Sequence, residues 1–147
     1  MSTLERAIAI SAAAHEGAKD KGGHPYVLHP LRVMLAVDSS DARIVAALHD
    51  VLEDTDWTVD RLRREGFSDT VLQALVALTI REGEEYNSYV RRAAANTVAR
   101  EVKFADLADN MDVSRLSSYT ERDRARLKKY ENAIELLKTE GNSSTKV

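Results

Sequence analysis

No cysteine occurs among the 147 residues, and proline appears only twice. The missing thiols exclude disulfide frameworks, thiolate zinc sites, iron–sulfur clusters and cysteine nucleophiles. Aromatic residues are few (one Trp, five Tyr, two Phe), so the core has to be aliphatic. Neither sign of charge dominates: 21 Lys plus Arg stand against 24 Asp plus Glu, a net charge of −3. Such a chain has no long-range pull on a polyanion, which argues against nucleic-acid polymers and membrane surfaces as partners but leaves room for a small anionic ligand at a local cluster. Long apolar runs are lacking too. The richest stretch, residues 71–80, is interrupted by Gln73 and falls well short of the roughly 18 residues a membrane span requires. The opening Met1-Ser2-Thr3-Leu4-Glu5-Arg6 has no basic-then-apolar leader. The expected location is therefore cytoplasmic, in soluble form.

Alternating β-branched stretches are also absent, so a sheet is not expected. Helical periodicity fills the chain instead. The first helix is predicted from about Thr3 to Asp20, before the breaker Gly22-Gly23-His24-Pro25. A second opens at His29-Pro30 and runs to Val37, and a third spans Ala42 to Asp54 with Asp41 as its cap. Further helices are predicted over Thr58 to Glu65, Ser68 to Thr79, Tyr86 to Ala94, Asn96 to Asp112 and Thr120 to Thr139. This is an all-α bundle of about eight helices occupying residues 1–140, a size at which an ordinary hydrophobic core suffices. The Gly-Asn-Ser-Ser-Thr composition of residues 141–147 predicts a disordered tail.

Three groups of residues carry chemistry. On a wheel of the third helix, His49, Asp50, Glu53 and Asp54 fall within an arc of about 140°, opposite an apolar stripe of Ile44, Val45, Leu48, Val51 and Leu52. Ala46 and Ala47 share the charged side and leave it unobstructed. A solvated face ending in acids is the plain alternative. However, acids at a helix C-terminus oppose the macrodipole, a conflict that a cation would resolve. In the second group, Lys103, Asp106 and Asn110 sit at i, i+3 and i+7, flanked by Phe104, Leu107 and Met111 on one side and Val98 and Val102 on the other. A helix apolar on both flanks is buried, and a buried acid needs a partner, an ion or a proton. An Asp106–Lys103 ion pair is the alternative to a metal role here. The third signal is His29, three residues after Tyr26 in a tight loop. Together His29, His49, Asp50 and Asp106 form a mixed N/O set that suits Mn, Fe or Zn better than Ca or Mg.

These segments resemble a known family. Gly23-His24-Pro25-Tyr26-Val27-Leu28-His29-Pro30, then His49-Asp50-Val51-Leu52-Glu53-Asp54, then Val102-Lys103-Phe104-Ala105-Asp106-Leu107-Ala108-Asp109-Asn110 look like the HD-domain hydrolases of the RelA/SpoT alarmone family, and most of all like its stand-alone small alarmone hydrolases. Leu78 to Tyr86 is similar as well. The resemblance implies an HD-domain helical fold with one Mn²⁺ per chain on His29, His49, Asp50 and Asp106. It implies that Glu53 and Asp54 serve the water that attacks the 3′-pyrophosphate of ppGpp or pppGpp, releasing pyrophosphate and GDP or GTP. It further implies that Asn110 contacts the nucleotide; Lys21, Tyr26 and Lys103 are expected as further substrate contacts. Every His lies at or before position 49, so no second imidazole set for another metal exists.

The chain departs from the pattern in one segment. Asp20-Lys21 stands where the long enzymes carry Arg-Lys, and Ala18 replaces a common Gln. Losing the Arg removes a cation–π contact with the base and predicts weaker guanine selection. Other readings of the same residues are hydrolysis of another nucleotide or nucleotide cofactor such as NADPH, and a non-catalytic nucleotide-sensing module. The Glu53-Asp54 pair favours catalysis, since a module that only binds has little need of acids beside a metal. Lys19 and Arg32 join Lys21 and Lys103 as candidate phosphate contacts. In the last helix, Arg122, Arg124, Arg126, Lys128 and Lys129 alternate with acids and read as a solvated face. Nothing in the sequence selects an oligomeric state.

Overall fold

A computed structural model describes residues 2–116 and 118–144, with side chains through residue 140. The described residues form nine α-helices: α1 (Leu4–Ala14), α2 (Leu28–Leu35), α3 (Ser40–Leu48), α4 (Val51–Asp54), α5 (Val59–Arg64), α6 (Asp69–Ala77), α7 (Tyr86–Ala94), α8 (Thr97–Asn110) and α9 (Glu121–Ser144). A single 3₁₀ turn, Val113–Arg115, precedes α9. There is no strand among the described residues, only an isolated antiparallel bridge between Lys19 and Pro25. None of these helices is long and apolar enough to cross a membrane.

Side-chain caps explain most helix starts. Thr3, Ser39, Thr58, Ser68 and Asn96 each accept the backbone N–H three residues on, satisfying a donor that the first turn leaves free. Ser39, not the expected Asp41, caps α3. α1 ends at Ala14, six residues short of the predicted Asp20, and Gly17 beyond it takes a positive φ of 82°. α2 starts at Leu28, so Pro30 is its third residue, still within the turn whose N–H groups lack helical partners.

The predicted third helix is two helices. His49 Nδ1 lies 2.7 Å from the Ala46 carbonyl, which an unbroken helix would offer to the Asp50 N–H. The ring thus occupies the acceptor that continuation needs, and the chain turns at His49-Asp50 before resuming as α4. The expected alanine side is corrected as well: Ala46 and Ala47 are completely buried, as are Val45 and Leu48. α3 is the central strut, packed by α1, α2, α6 and α8. Apolar residues of α1, α2, α3 and α6 build the main core around it. A smaller cluster of Tyr89, Val90, Ala94, Leu107, Ala133 and Leu137 joins α7, α8 and α9. α9 is accordingly anchored by one buried stripe and solvated elsewhere. Its backbone is helical through Ser144, and residues 145–147 of the expected tail lie outside the described residues.

Candidate metal centre and adjoining cavity

α2, α3 and α8 meet at four side chains. His29 near the start of α2 and His49 at the end of α3 are buried, with their rings 5.1 Å apart, edge to face. His29, His49 and Asp50 each offer a ligand atom within 4.8 Å of the others. Asp106 Oδ1, from α8, lies 2.9 Å from His29 Nε2 and 3.3 Å from His49 Nε2. Asp50 Oδ2 is 3.2 Å from His49 Nε2 and 3.6 Å from His29 Nε2. The four residues expected to hold a metal are therefore brought together.

The outer nitrogens determine what the inner ones present. His49 Nδ1 donates to the Ala46 carbonyl, an obligatory acceptor. His29 Nδ1 sits 2.6 Å from Asp109 Oδ2, a carboxylate that burial would raise but that hydrogen bonds from His29 and Arg32 hold well below the usual range. With Nδ1 protonated in both neutral rings, both Nε2 lone pairs face carboxylate oxygens. Acceptors facing acceptors in a buried site call for a cation or for ring protons. The imidazoles respond in that sense: burial alone would lower the His29 pKa, yet hydrogen bonds to Asp106 and Asp109 raise it to about 9. His49 is raised too, against its burial, by Asp50 and Asp106. Two imidazoles with outer hydrogen bonds that fix the tautomer, plus two carboxylates, fit a divalent transition metal.

Around this set, Lys103 Nζ donates to Asp106 Oδ2 at 3.0 Å and Asn110 Nδ2 to Asp106 Oδ1 at 3.1 Å. The ion-pair alternative for Lys103 is thus realised together with the metal arrangement: the ammonium is buried, lies 5.0 Å from the Tyr89 ring centroid and does not line the cavity described below. Tyr26 donates to Asp50 Oδ2 at 2.6 Å, and its own ionisation is pushed strongly up by burial and by Asp50. Glu53 and Asp54, on the single turn of α4, are exposed at the rim. Partial desolvation raises the pKa of each, with Asp54 and Asp50 adding to the effect on Glu53 and Asp50 to that on Asp54. Among the described residues no hydrogen bond or ion pair joins them to the imidazoles, but they belong to the same electrostatic neighbourhood.

A cavity of about 380 Å³ opens beside His29, and Lys21, Tyr26 and Asn110 line it. Arg32 and Arg115 also line it, both bound to Asp109, while Leu127 and Tyr130 from α9 supply an apolar wall. Lys19 and Lys21 form no ion pair among the described residues. Asp20 is on the wall as well, and its carboxylate holds the loop closed, with Oδ1 accepting the backbone N–H groups of Gly22 and His24, both at 2.9 Å. That loop packs closely on the 3₁₀ turn, since a Cβ at Gly22 would clash with the Arg115 carbonyl oxygen.

Sequence reasoning passed over Asp109 as a site residue. The signal that could have found it was its i, i+3 spacing from Asp106 on α8, matching the i, i+3 spacing of His29 and Arg32 on α2. It likewise passed over His15, which is buried against the Tyr26 ring at 5.0 Å.

No protein-family model matches the chain. The GTP pyrophosphokinase of Streptomyces coelicolor is 32% identical over 131 residues, which cover 82% of this chain and 15% of that protein. The guanosine-3′,5′-bis(diphosphate) 3′-pyrophosphohydrolase of Aquifex aeolicus is 29% identical over 138 residues, covering 86% of this chain and 19% of that protein. The chain thus spans less than a fifth of the length of these relatives. Among solved structures, one described as a metazoan ortholog of SpoT that hydrolyzes ppGpp superposes with a TM-score of 0.74 at 21% identity, over 91% of this chain and 84% of that one. That likeness establishes the fold. In sequence the chain is thus similar to one segment of these pyrophosphokinase and pyrophosphohydrolase relatives, and it carries the HD-type helical bundle of the solved structure.

Proposed function

We propose that this chain hydrolyses the 3′-pyrophosphate of guanosine tetra- or pentaphosphate, giving GDP or GTP and pyrophosphate, with one divalent transition metal, Mn²⁺, held by His29, His49, Asp50 and Asp106. The observation that carries this reading is the pair of buried imidazole Nε2 atoms converging on two carboxylates beside a cavity with basic walls. Relatives named as 3′-pyrophosphohydrolases support the choice of substrate. When bound, the metal supplies Lewis acidity toward a phosphoryl oxygen and eases deprotonation of water.

The protein's own groups then divide the work. Glu53 and Asp54, with pKa values raised toward the working pH, take a proton from the attacking water. The new P–O bond forms at the phosphorus attached to the 3′ oxygen, the bond from that phosphorus to the 3′ oxygen breaks, and that oxygen leaves with a proton. Lys21 and Asn110 bind phosphate and sugar oxygens from the cavity wall. Tyr26 acts by holding Asp50 through its hydroxyl. Lys103 acts through Asp106, keeping that buried carboxylate ionised and oriented, so its expected substrate contact becomes a positioning role.

The test is release of pyrophosphate and phosphate from 3′-pyrophosphorylated guanosine and adenosine nucleotides, a 5′-nucleotide panel and NADPH, with and without added Mn²⁺. Metal-dependent pyrophosphate release from the guanosine 3′-pyrophosphates is expected. Release confined to compounds lacking a 3′-pyrophosphate would overturn the substrate assignment while leaving the metal site standing.

A further inference from the structure

The two imidazoles of the centre are supported in different ways. The outer nitrogen of His49 meets a backbone carbonyl one turn back on its own helix, an acceptor that any residue at position 46 would provide. The outer nitrogen of His29 meets a side chain of another helix, Asp109 of α8, at 2.6 Å. The same carboxylate takes Arg32 Nε on Oδ1 at 2.7 Å and Arg32 Nη2 on Oδ2 at 3.1 Å. Arg115 Nη2 approaches Asp109 Oδ2 at 3.4 Å and donates to the Asp109 carbonyl at 2.8 Å. Asp109 is partly buried and engaged on both oxygens, so it has little freedom to swing.

We propose that Asp109 is a positioning residue that locks the His29 imidazole with its proton on Nδ1 and its Nε2 turned toward Asp50 and Asp106, while anchoring Arg32 and Arg115 at the cavity wall. The argument is one of register. On α2, His29 and Arg32 are three residues apart. On α8, Asp106 and Asp109 are three residues apart, and the two pairs meet rung by rung across the helix interface. One rung faces the metal centre and the other ties that centre to the cavity. A neutral carbonyl suffices to orient His49. A carboxylate does more for His29, because a charged outer partner also raises the basicity of the inner nitrogen. Removal of Asp109 should therefore loosen His29 as a ligand without removing any ligand.

This inference rests on the metal reading above, and the experiment separates the two. Mn²⁺ dissociation constants are measured by electron paramagnetic resonance on the metal-free full chain, for wild type, Asp109→Ala, Asp109→Asn and Arg32→Ala. The His29 tautomer is read in parallel from imidazole ¹⁵N shifts of the metal-free proteins at a pH high enough to leave the ring neutral. Asp109→Ala is expected to weaken Mn²⁺ binding by roughly 10–100-fold, the range for loss of an outer partner, and to populate the Nε2-protonated ring. Asp109→Asn, which keeps a side-chain oxygen to accept the Nδ1 proton, is expected to restore the tautomer and part of the affinity. Its milder change also keeps the test alive if the alanine variant does not fold. Arg32→Ala, which leaves the Asp109 acceptor in place, is expected to stay within about twofold of wild type in Mn²⁺ affinity, the scale of a partner that does not reach the ring. Wild-type affinity and wild-type His29 shifts in the Asp109 variants overturn the inference alone. An equal loss in Arg32→Ala also overturns it, since the effect would then be one of helix docking. A wild-type protein that binds no Mn²⁺ overturns both the inference and the metal reading.

Discussion

Two polar networks lie within this small bundle, and they are solved in opposite ways. At the junction of α6 and α7, Arg92 donates to Glu84 through Nε and Nη2 at 3.0 and 2.8 Å, and to the carbonyls of Val76 and Thr79, each at 2.8 Å. Glu84 in turn accepts the Arg81 N–H at 3.1 Å. All three guanidinium nitrogens there meet an acceptor, and the network closes the loop between the two helices. At the junction of α2, α3 and α8 the count is unbalanced: two carboxylates and two inward imidazole nitrogens share one ammonium, one amide and one phenol hydroxyl as donors. A satisfied network stabilises a fold, whereas one short of donors is arranged for something that arrives from outside. Composition alone would not separate them, since both are built from ordinary charged residues.

The sharpest way to break this contrast is to remove the carboxylate on which the unbalanced network converges. Asp106→Ala is expected to abolish stoichiometric metal, measured by elemental analysis, because it deletes an oxygen that lies within 3.3 Å of both inner imidazole nitrogens. It also strands the buried Lys103 ammonium, a penalty of about 3–5 kcal/mol when one member of a buried pair is removed. Asp106→Ala combined with Lys103→Met should therefore recover stability in urea unfolding and still lack metal. Recovery of metal by the double variant would show that Asp106 is not a ligand.

Next in size are the rim carboxylates. Glu53→Gln and Asp54→Asn are expected to retain metal at wild-type stoichiometry and to lose roughly 10²- to 10⁴-fold in kcat, the range of general acid–base catalysis. Metal lost in proportion to activity would make them ligands instead. Addition of Mn²⁺ at about one hundred times its Kd should stabilise the wild type by about 2.7 kcal/mol, read as a rise in Tm that a chelator reverses. The same addition should leave the Asp106 variants unmoved.

The balanced network makes a smaller and purely structural prediction. Arg92→Ala should cost about 2 kcal/mol, the scale of a charged donor lost to neutral acceptors, with no change in Mn²⁺ affinity. Arg92 and the Arg81 N–H lower the Glu84 pKa from 4.5 to about 2. A carboxylate depressed in this way contributes stability that is present above about 4.5 and is lost as pH falls through about 2. Glu84→Gln should flatten the acid limb of Tm against pH in that window.

The smallest expected effect concerns base selection. With Asp20 in place, the adenine 3′-pyrophosphate should be turned over at a measurable rate. Asp20→Arg is expected to widen the guanine-over-adenine ratio in kcat/KM by about tenfold, equivalent to about 1.4 kcal/mol. It also removes the acceptor for two loop N–H groups, so a Tm measurement has to accompany it.

Most helix starts were readable because Thr, Ser and Asn caps act within three residues of their donors. The candidate ligands were readable because imidazoles and carboxylates at those spacings are costly to bury without a purpose. Other features were beyond reach for equally local reasons. The break at His49 depends on a ring turning back onto Ala46, which a wheel drawn at constant pitch does not contain. Asp20 looked like a lost base contact, and its role as an acceptor for the loop it begins became visible only once that loop was closed.

What the sequence by itself determined is therefore the helical class, from periodicity and the lack of strand patterns, and the identity of the four convergent residues, from side-chain chemistry. Only the tertiary structure decided which acid answers which base. It assigned Lys103 to Asp106 rather than to the cavity, and Asp109 to His29, Arg32 and Arg115 together. The physical reason is that periodicity places a residue on a helix face, while an ion pair requires two faces to meet in register. The register between α2 and α8 follows from packing on α3, where the whole core contributes and no local motif does.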